Sequence, residues 1–534
     1  YDVAGQLLTE AGINGKLDYE WDALGNLTHL TLPGEQQLAW LHYGSGHVSA
    51  IRFNQQLVSE FTRDRLHREI RRSQGAREQA RQYDSLGRRT MQRSELHSEV
   101  VLPEKAILER AFRYSARSEL ESVSDTLRGD IIYGYDDEGR LLKHYEARQG
   151  HSTSHFTYDN ADNLAANDDA LHALPVTDNR VHHWQNLFMK YDDWGNLVSR
   201  RSGLHEQHFT YDAENRLISA KGNGPDGGFT AHYHYDALGR RTCKVVSTQH
   251  DRKEVRFLWQ GYRLLQEQQD NGQCQTYVYD PNEAWSPLAR IDHMAAGGRG
   301  DVLWFNTDIN GAPLEVTDER GNIRWSGQYG SFGEVRRQTE GFTRLAKQSA
   351  LPHQPLRYAG QYADSETGLH YNLFRYYDPQ VGRFTVQDPI GLEGGWNLYQ
   401  YAPNPLSWVD PLGLSNCGAP NKKTSYEGIS RRDAFRQAKR DAGIPMNQHP
   451  SSITRPDLLD GSGKKILDST GQPIKTRQYE FVDKRGQSVF LQEHSLGHTK
   501  ATSGHGAEPH FNLRPLDNLN TGSVPGTHGH YNFP

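Results

Sequence analysis

Cysteine is scarce in this chain of 534 residues. Cys243, Cys274 and Cys417 are too few for a disulfide framework and too far apart for a cysteine-rich zinc site; they read as ordinary thiols. Long apolar runs are missing as well. No stretch approaches the roughly 18 consecutive apolar residues a membrane helix needs, and Tyr1 opens no signal-peptide pattern. Any export must therefore be directed by something other than these residues. Only 35% of the chain is hydrophobic, yet it carries 27 Tyr against 18 Phe and 10 Trp, together with 51 Gly. A chain this polar that still buries aromatic rings points away from one compact core. Many short strands and turns with a large wetted area, in an extended or hollow β structure, fit better.

Charge is spread unevenly. Residues 415–534 hold 16 Lys and Arg against 11 Asp and Glu, and residues 1–414 hold 44 against 55. The basic tail suits a nucleic-acid partner and equally suits an ordinary solvated surface.

Internal repetition dominates the first three-quarters, where aromatic-x-Tyr-Asp-x-x-Gly/Asn-Arg/Asn-Leu recurs. Clear copies run Tyr133 to Leu141, Phe209 to Leu217 and Tyr233 to Arg241, with looser ones at Tyr83, Phe156, Tyr191 and Tyr277. Aromatics two apart, such as Phe209 and Tyr211, share one face of a strand. Asp-x-x-Gly supplies the turn, because Asp accepts local backbone hydrogen bonds and Gly or Asn takes the positive-φ position. Each hairpin cannot bury its face alone, so many stack into a continuous sheet. Tyr1 falls inside such a unit, and we expect further repeat sequence ahead of it.

These units resemble the YD repeats of the Rhs and teneurin families over roughly residues 1–414, a likeness that implies a closed β cocoon around an internal space. Residues 371–414 resemble the segment that terminates the Rhs core, with two Asp-Pro-x-Gly-Leu elements, Asp388 to Leu392 and Asp410 to Leu414. The family resemblance implies self-cleavage after the second element, between Leu414 and Ser415. Two carboxyl groups held together cannot both ionise, so Asp388 and Asp410 form a plausible acid and base pair, with no individual assignment between them. Arg383 is the residue expected to position or charge-balance them, and Ser415 need not be a nucleophile.

Beyond Leu414 the repeats stop. Residues 415–429 read as a linker, and a basic helix follows from Arg431 to Ala442, capped by Ser430 with Asp433 at its third position and ended by Gly443-Ile444-Pro445. Its Arg431, Arg432, Arg436, Lys439 and Arg440 are placed either to meet phosphates or simply to face solvent. A β-hairpin is expected from Gln478–Asp483 and Ser488–His494. Six of the 26 histidines, His494, His498, His505, His510, His528 and His530, lie in the last 41 residues, beside Glu493, Glu508 and Asn512. Imidazoles mixed with carboxylate and amide groups on short loops are what metal-assisted phosphodiester cleavage requires.

Glu-His-Ser-x-Gly-His, Pro-His-Phe-Asn-x-Arg-Pro and Gly-x-His-Tyr-x-Phe resemble the HNH/endonuclease VII superfamily toxins with an EHHH signature, over about Arg431 to Pro534. Carried over by position, the signature falls on Glu493, His494, His498 and His510. The resemblance implies His494 as general base and Glu493, His498 and His510 as ligands of a divalent ion (Mg, Mn or Zn) or as phosphate contacts, with Asn512, Arg514, His530 and His505 as a second tier. The expected architecture is mostly β: a YD-repeat shell (1–370), a core-terminating segment (371–414), the linker, and a small α+β HNH-like domain with a ββα-metal arrangement (430–534). The endonuclease VII structural zinc has no cysteines here, Cys417 being the one in the tail. The family context further implies manufacture in a bacterial cytoplasm and delivery into a rival's cytoplasm. Delivery would run through a type VI secretion spike or chaperone that meets an N-terminal region, and a cognate immunity protein would guard the producer. Two other readings stand beside this one. A nucleotidyl- or ADP-ribosyl-transferase toxin would want a Glu-x-Glu constellation that the tail lacks, and a teneurin-like adhesion or carbohydrate-binding protein would leave the histidines without a purpose.

Overall fold

The computed structural model describes the chain apart from residues 45, 97–106, 149–151, 166–175, 177, 226, 340–352, 415–416, 419–424, 428–429, 443, 445–447, 458–464, 466, 468–470, 483–487, 495–509, 517–529 and 533–534. It divides into two compact units, Tyr1–Ala419 and Pro420–Pro534.

The first unit is an antiparallel meander. Fourteen strands, from Thr9–Gly12 to Ser152–His155, pair in strict chain order, and fifteen more, from His183–Trp184 to Val335–Thr339, do the same. A four-stranded sheet follows, made of Tyr362–Ala363, His370–Asn372, Arg375–Asp378 and Arg383–Phe384.

The repeat motif explains this regularity. In the unit around Asp212, the carboxylate accepts the main-chain N–H groups of Glu214 and Arg216, both at 2.9 Å, and the Arg216 side chain at 2.7 Å. Asn215 takes φ 59° to close the turn. The tyrosine before each Asp reaches back to the previous unit: Tyr211 Oη donates to Leu197 O at 2.9 Å, Tyr235 to Leu217 at 2.6 Å and Tyr135 to Leu120 at 2.7 Å. The loop arginine of one unit then covers the tyrosine of a later one, Arg216 lying 5.4 Å from the Tyr235 ring and Arg140 5.0 Å from that of Tyr158. The pairing register slips between Thr210 and Tyr211 and at the equivalent steps of other units. The extra residue, Ile218 in this unit, falls on the return strand, and Tyr211 packs against the same core cluster as Phe209. The same turn also forms where the motif is degenerate, Ser115 standing in for Asp with Ser118 at φ 68°.

The interior is less apolar than tyrosine and leucine counts suggest. Leu17, Leu30, Ile51, Phe53 and Leu288 belong to one mainly aliphatic cluster, and Phe209, Tyr233, Phe257, Trp325 and Tyr371 to one richer in aromatic rings. Between Glu69 and Arg128, however, the buried positions are largely charged or amide side chains. Arg110 and Arg128 bind both Asp125 and Glu315, with Arg110 Nε 2.8 Å and Arg128 Nη1 3.0 Å from Asp125 Oδ2. Burial pushes the Asp125 carboxyl up, but the two guanidinium groups and two backbone N–H donors outweigh it and hold it at about 2.

The second unit is a mixed sheet with one α-helix among its described residues. Strand order across the sheet is Ser425–Glu427, His530–Asn532, His510–Pro515, Ser488–His494, Gln478–Val482 and Ser452–Thr454, and the first pair is parallel. The helix Arg431–Asp441 lays Ala434, Phe435 and Ala438 on Phe481, Val489, Leu491, Phe511, Leu513 and Tyr531. The expected hairpin is present as Gln478–Val482 with Ser488–His494. Residues expected on loops after it, His510 to Arg514 and His530, lie on strands, because alternating Phe511, Leu513 and Tyr531 supply a buried face with period 2. Any helix following the hairpin falls outside the described residues.

Candidate functional site

At the junction, one arginine joins the two carboxyl groups expected to act together. Arg375 Nη2 lies 3.0 Å from Asp388 Oδ2 and 3.2 Å from Asp410 Oδ2. Its Nε donates to Gly413 O at 2.5 Å, its Nη1 to Leu398 O at 3.0 Å, and its guanidinium stacks 3.7 Å from the Phe384 ring. All three charged side chains are buried. Burial pushes the Asp388 carboxyl up to about 6 against the pull of Arg375. It raises Asp410 too, against Arg375 and the N–H groups of Leu414, Gly413 and Leu412.

Arg383, the arginine expected here, is turned elsewhere. It donates to Asn163 Oδ1 and Asn179 O and lies 4.6 Å from the Tyr399 ring. The two residues are eight apart along a pair of short strands, and nothing local separates them; only the fold brings Arg375 between partners 13 and 35 residues further on.

Leu414 is tied to the pair. Its N–H donates to Asp410 Oδ1 at 3.0 Å. Trp408–Val409 and Cys417–Gly418 pair as antiparallel strands, so the Leu414–Ser415 bond lies in the loop between them. Ser415 itself is outside the described residues.

In the terminal sheet, His494 is directly opposite His510, and His510 directly opposite Asn532, on three adjacent strands. Gln492 is opposite Asn512. With the strand period of two, positions 492, 494, 510, 512, 530 and 532 share one side of the sheet. His510, Asn512 and Asn532 are buried, which makes this side a polar stripe backing an apolar one.

Glu493 belongs to the opposite side. It follows the alternation that places Phe511 across from it, and both carboxylate oxygens take Arg431 of the helix, at 2.8 and 2.6 Å. Arg431 also donates to Tyr479 Oη at 3.0 Å and lies 5.2 Å from the Phe511 ring. The main chain of Glu493 is fixed as well: its N–H donates to Arg477 O at 2.9 Å and its carbonyl accepts the Thr476 hydroxyl. The structure therefore brings His494 and His510 into one rung but does not bring Glu493 to them, so the expected ligation of one ion by Glu493 and His510 does not fit this arrangement. The remaining expected ligand, His498, and the second-tier His505 lie outside the described residues. Asn512 shares the polar stripe; Arg514 is opposite Phe490 on the same strand, and burial lowers its guanidinium from the ordinary value.

The basic helix is not a free phosphate-binding face. Arg431 is committed to Glu493, Arg436 and Lys439 are buried, and Lys439 Nζ donates to Gln448 O at 2.8 Å while lying 4.8 Å from the Phe481 ring. Burial and the neighbouring Arg436 lower the Lys439 ammonium to about 8. Arg432 is the exposed one. As for a cation, no group of three or more His, Cys, Asp or Glu stands ready to hold one among the described residues. The donor chemistry of the polar stripe, imidazole and amide oxygen, suits a divalent ion.

A repeat meander whose recurring turns are built by Tyr-Asp and its variants, followed by a segment with a buried Asp-Arg-Asp bridge, defines a YD shell. Residues 58–406 match the teneurin YD-shell family, residues 1–37 the RHS repeat, and residues 465–533 the HNH/Endo VII superfamily nuclease toxins. The chain belongs to the Rhs/YD-repeat polymorphic toxins. It is 42% identical over 78% of its length to the double-stranded DNA deaminase toxin A of Burkholderia cenocepacia, covering 30% of that protein. It is 28% identical over 99% of its length to the probable deoxyribonuclease RhsB of Dickeya dadantii, covering 35% of it. The chain thus spans about a third of the length of these relatives. In fold it resembles the Photorhabdus luminescens Tc holotoxin pore, with a TM-score of 0.58 at 16% identity over 75% of this chain and 21% of that one.

Proposed function

We propose that the chain is the C-terminal part of an interbacterial toxin whose last domain is a metal-dependent endonuclease, acting on DNA ahead of RNA. The reading extends to a shell that encloses this domain and to a junction that hydrolyses its own Leu414–Ser415 bond. The observation that carries the nuclease is the rung His494, His510, Asn532, a row of polar positions on one side of a sheet whose other side is the domain's core. Buried polar side chains in such a row are costly unless hydrogen-bonded, to one another or to a ligand. The shell is common to relatives named for different chemistries, a deaminase and a deoxyribonuclease, so the terminal match to nuclease toxins, and not the shell, supports the activity.

A divalent cation held by His510 and His498 would stabilise charge on the scissile phosphate and the leaving oxygen. His494 is the base that removes a proton from the attacking water, which needs a neutral imidazole. Asn512 and Asn532 orient substrate by hydrogen bonds. Glu493 acts as a positioning residue, locking the strand end that carries His494 to Arg431 and to residues 476–477. Nucleic acid is the substrate partner. A cognate immunity protein, a type VI delivery apparatus, and transfer from the producing cytoplasm to that of a rival complete the reading by family likeness.

The test is plasmid nicking by the purified chain. Cutting should require a divalent metal, stop with chelator, and fall by at least about a hundredfold in His510→Ala. Undiminished cutting in chelator, or by His510→Ala, would refute the assignment.

A further inference from the structure

Three glycines stand close together in Gly391-Leu392-Glu393-Gly394-Gly395, and they are not there for the same reason. Gly391 and Gly395 adopt φ 61° and 129°, with open space where a β-carbon would go. Their lack of a side chain answers a backbone need. Gly394 is the reverse: its φ is not in the left-handed region, so alanine would fit the backbone. A β-carbon there would instead lie 2.2 Å from Asp388 Oδ2 and 2.6 Å from Leu414 O. Both atoms therefore crowd a single point that only glycine leaves empty. One is the carboxyl oxygen of the pair; the other is the carbonyl oxygen of the bond to be cut.

We propose that Gly394 is a positioning residue for self-cleavage, its missing side chain letting the Asp388 carboxyl lie against the Leu414 carbonyl oxygen as proton donor. The inference rests on the self-cleavage reading and assigns the roles within the pair. A water oxygen bonds to the Leu414 carbonyl carbon, one water proton passes to the Asp410 carboxylate, and Asp388 gives its proton to the carbonyl oxygen. The C–N bond to Ser415 then breaks, the Ser415 nitrogen takes the proton from Asp410, and the tetrahedral carbon's hydroxyl returns one to Asp388. One water is consumed, leaving a carboxyl group on Leu414 and an amine on Ser415. Arg375 binds both carboxyl groups, but Asp410 suits the base role because the N–H groups of Leu412, Gly413 and Leu414 favour its charged form, whereas Asp388 takes one such N–H, from Ile390. The charged groups facing Asp388 are Arg375 and Asp410, and burial against them leaves its proton available near neutrality.

The experiment follows the full chain in cell-free synthesis, on denaturing gels, as wild type, Gly394→Ala, Gly391→Ala and Gly394→Ala with Asp388→Ala. Wild type and Gly391→Ala should be cut. Gly394→Ala should cut about a hundredfold more slowly, the scale expected of a misplacement of about 1 Å, and its residual rate should not fall with rising pH as the wild-type rate does. Wild-type cutting by Gly394→Ala, or a residual rate with the wild-type pH slope, overturns the proposal. Should Gly394→Ala fail to fold, the double variant removes the crowded carboxyl. Recovery of the folded shell then supports the contact, and continued failure overturns it. An uncut wild type would sink the self-cleavage reading itself, which is distinguishable from Gly394→Ala being cut beside a cut wild type.

Discussion

Two buried carboxyl pairs in the shell differ by one arginine. In the wall, Asp125 and Glu315 share Arg110 and Arg128, two charges of each sign, and Asp125 is held at about 2. At the junction, Asp388 and Asp410 share Arg375 alone, and burial lifts Asp388 to about 6. Both sites are buried and both are cross-linked by guanidinium groups. A second guanidinium, with two backbone N–H donors, separates a structural clamp that holds Asp125 ionised from a pair in which Asp388 keeps its proton up to about pH 6 and can do acid chemistry.

The comparison can be broken most directly at Asp388. Asp388→Asn should leave the polypeptide at full length on a denaturing gel while the shell melts much as before, since the amide keeps the size and shape of the carboxyl it replaces; a cut variant would take Asp388 out of the reaction. Next in size is Arg128→Met. It turns the wall into a junction-like cluster of two carboxylates on one arginine and strands the Leu314 and Gly327 carbonyls that Arg128 binds. Denaturant titration should show a loss of about 3–5 kcal/mol, and a loss near zero would mean the wall cluster does not behave as a buried clamp.

The two sites should also respond to pH with opposite sign. Asp388 is raised above its ordinary 3.8, so the stability it contributes is fully present below 3.8 and is lost as pH rises through about 6. Asp125 is lowered, so its contribution is present above 3.8 and is lost as pH falls through about 2. The cutting rate, needing the Asp388 proton, should drop roughly tenfold per pH unit above that point. A rate that rises with pH would reverse the assigned roles. The smallest effect belongs to the other carboxylate–arginine contact, in the terminal sheet. Glu493→Gln weakens a partly exposed pair with Arg431 and should cost the second unit only about 1 kcal/mol, measured by its melting. Were metal affinity abolished with stability intact, Glu493 would be a ligand after all.

What could be read from the sequence followed from how local the chemistry is. The YD turns were legible because Asp212, Asn215 and Arg216 satisfy one another within five residues, and the Asp388 and Asp410 pair because its motif is written twice. Arg375 was not, since it sits in Leu-Phe-Arg-Tyr-Tyr-Asp with no local mark of its distant partners, and Arg383 was chosen in its place. The charged wall was missed for the same reason: Arg110 and Glu315 are 205 residues apart. The separation of Glu493 from His494 was available. A hairpin strand puts neighbours on opposite sides, and reading Ser488–His494 as a strand already implied it; the family signature, which treats the two as a unit, hid the consequence.

The Trp408–Val409 and Cys417–Gly418 pairing adds a last consequence. Hydrolysis between Leu414 and Ser415 opens the bend of a hairpin and leaves its stem zipped. Severing the covalent bond and setting the downstream piece loose are then two events with separate rates, the second fixed by how fast a short ribbon unpeels.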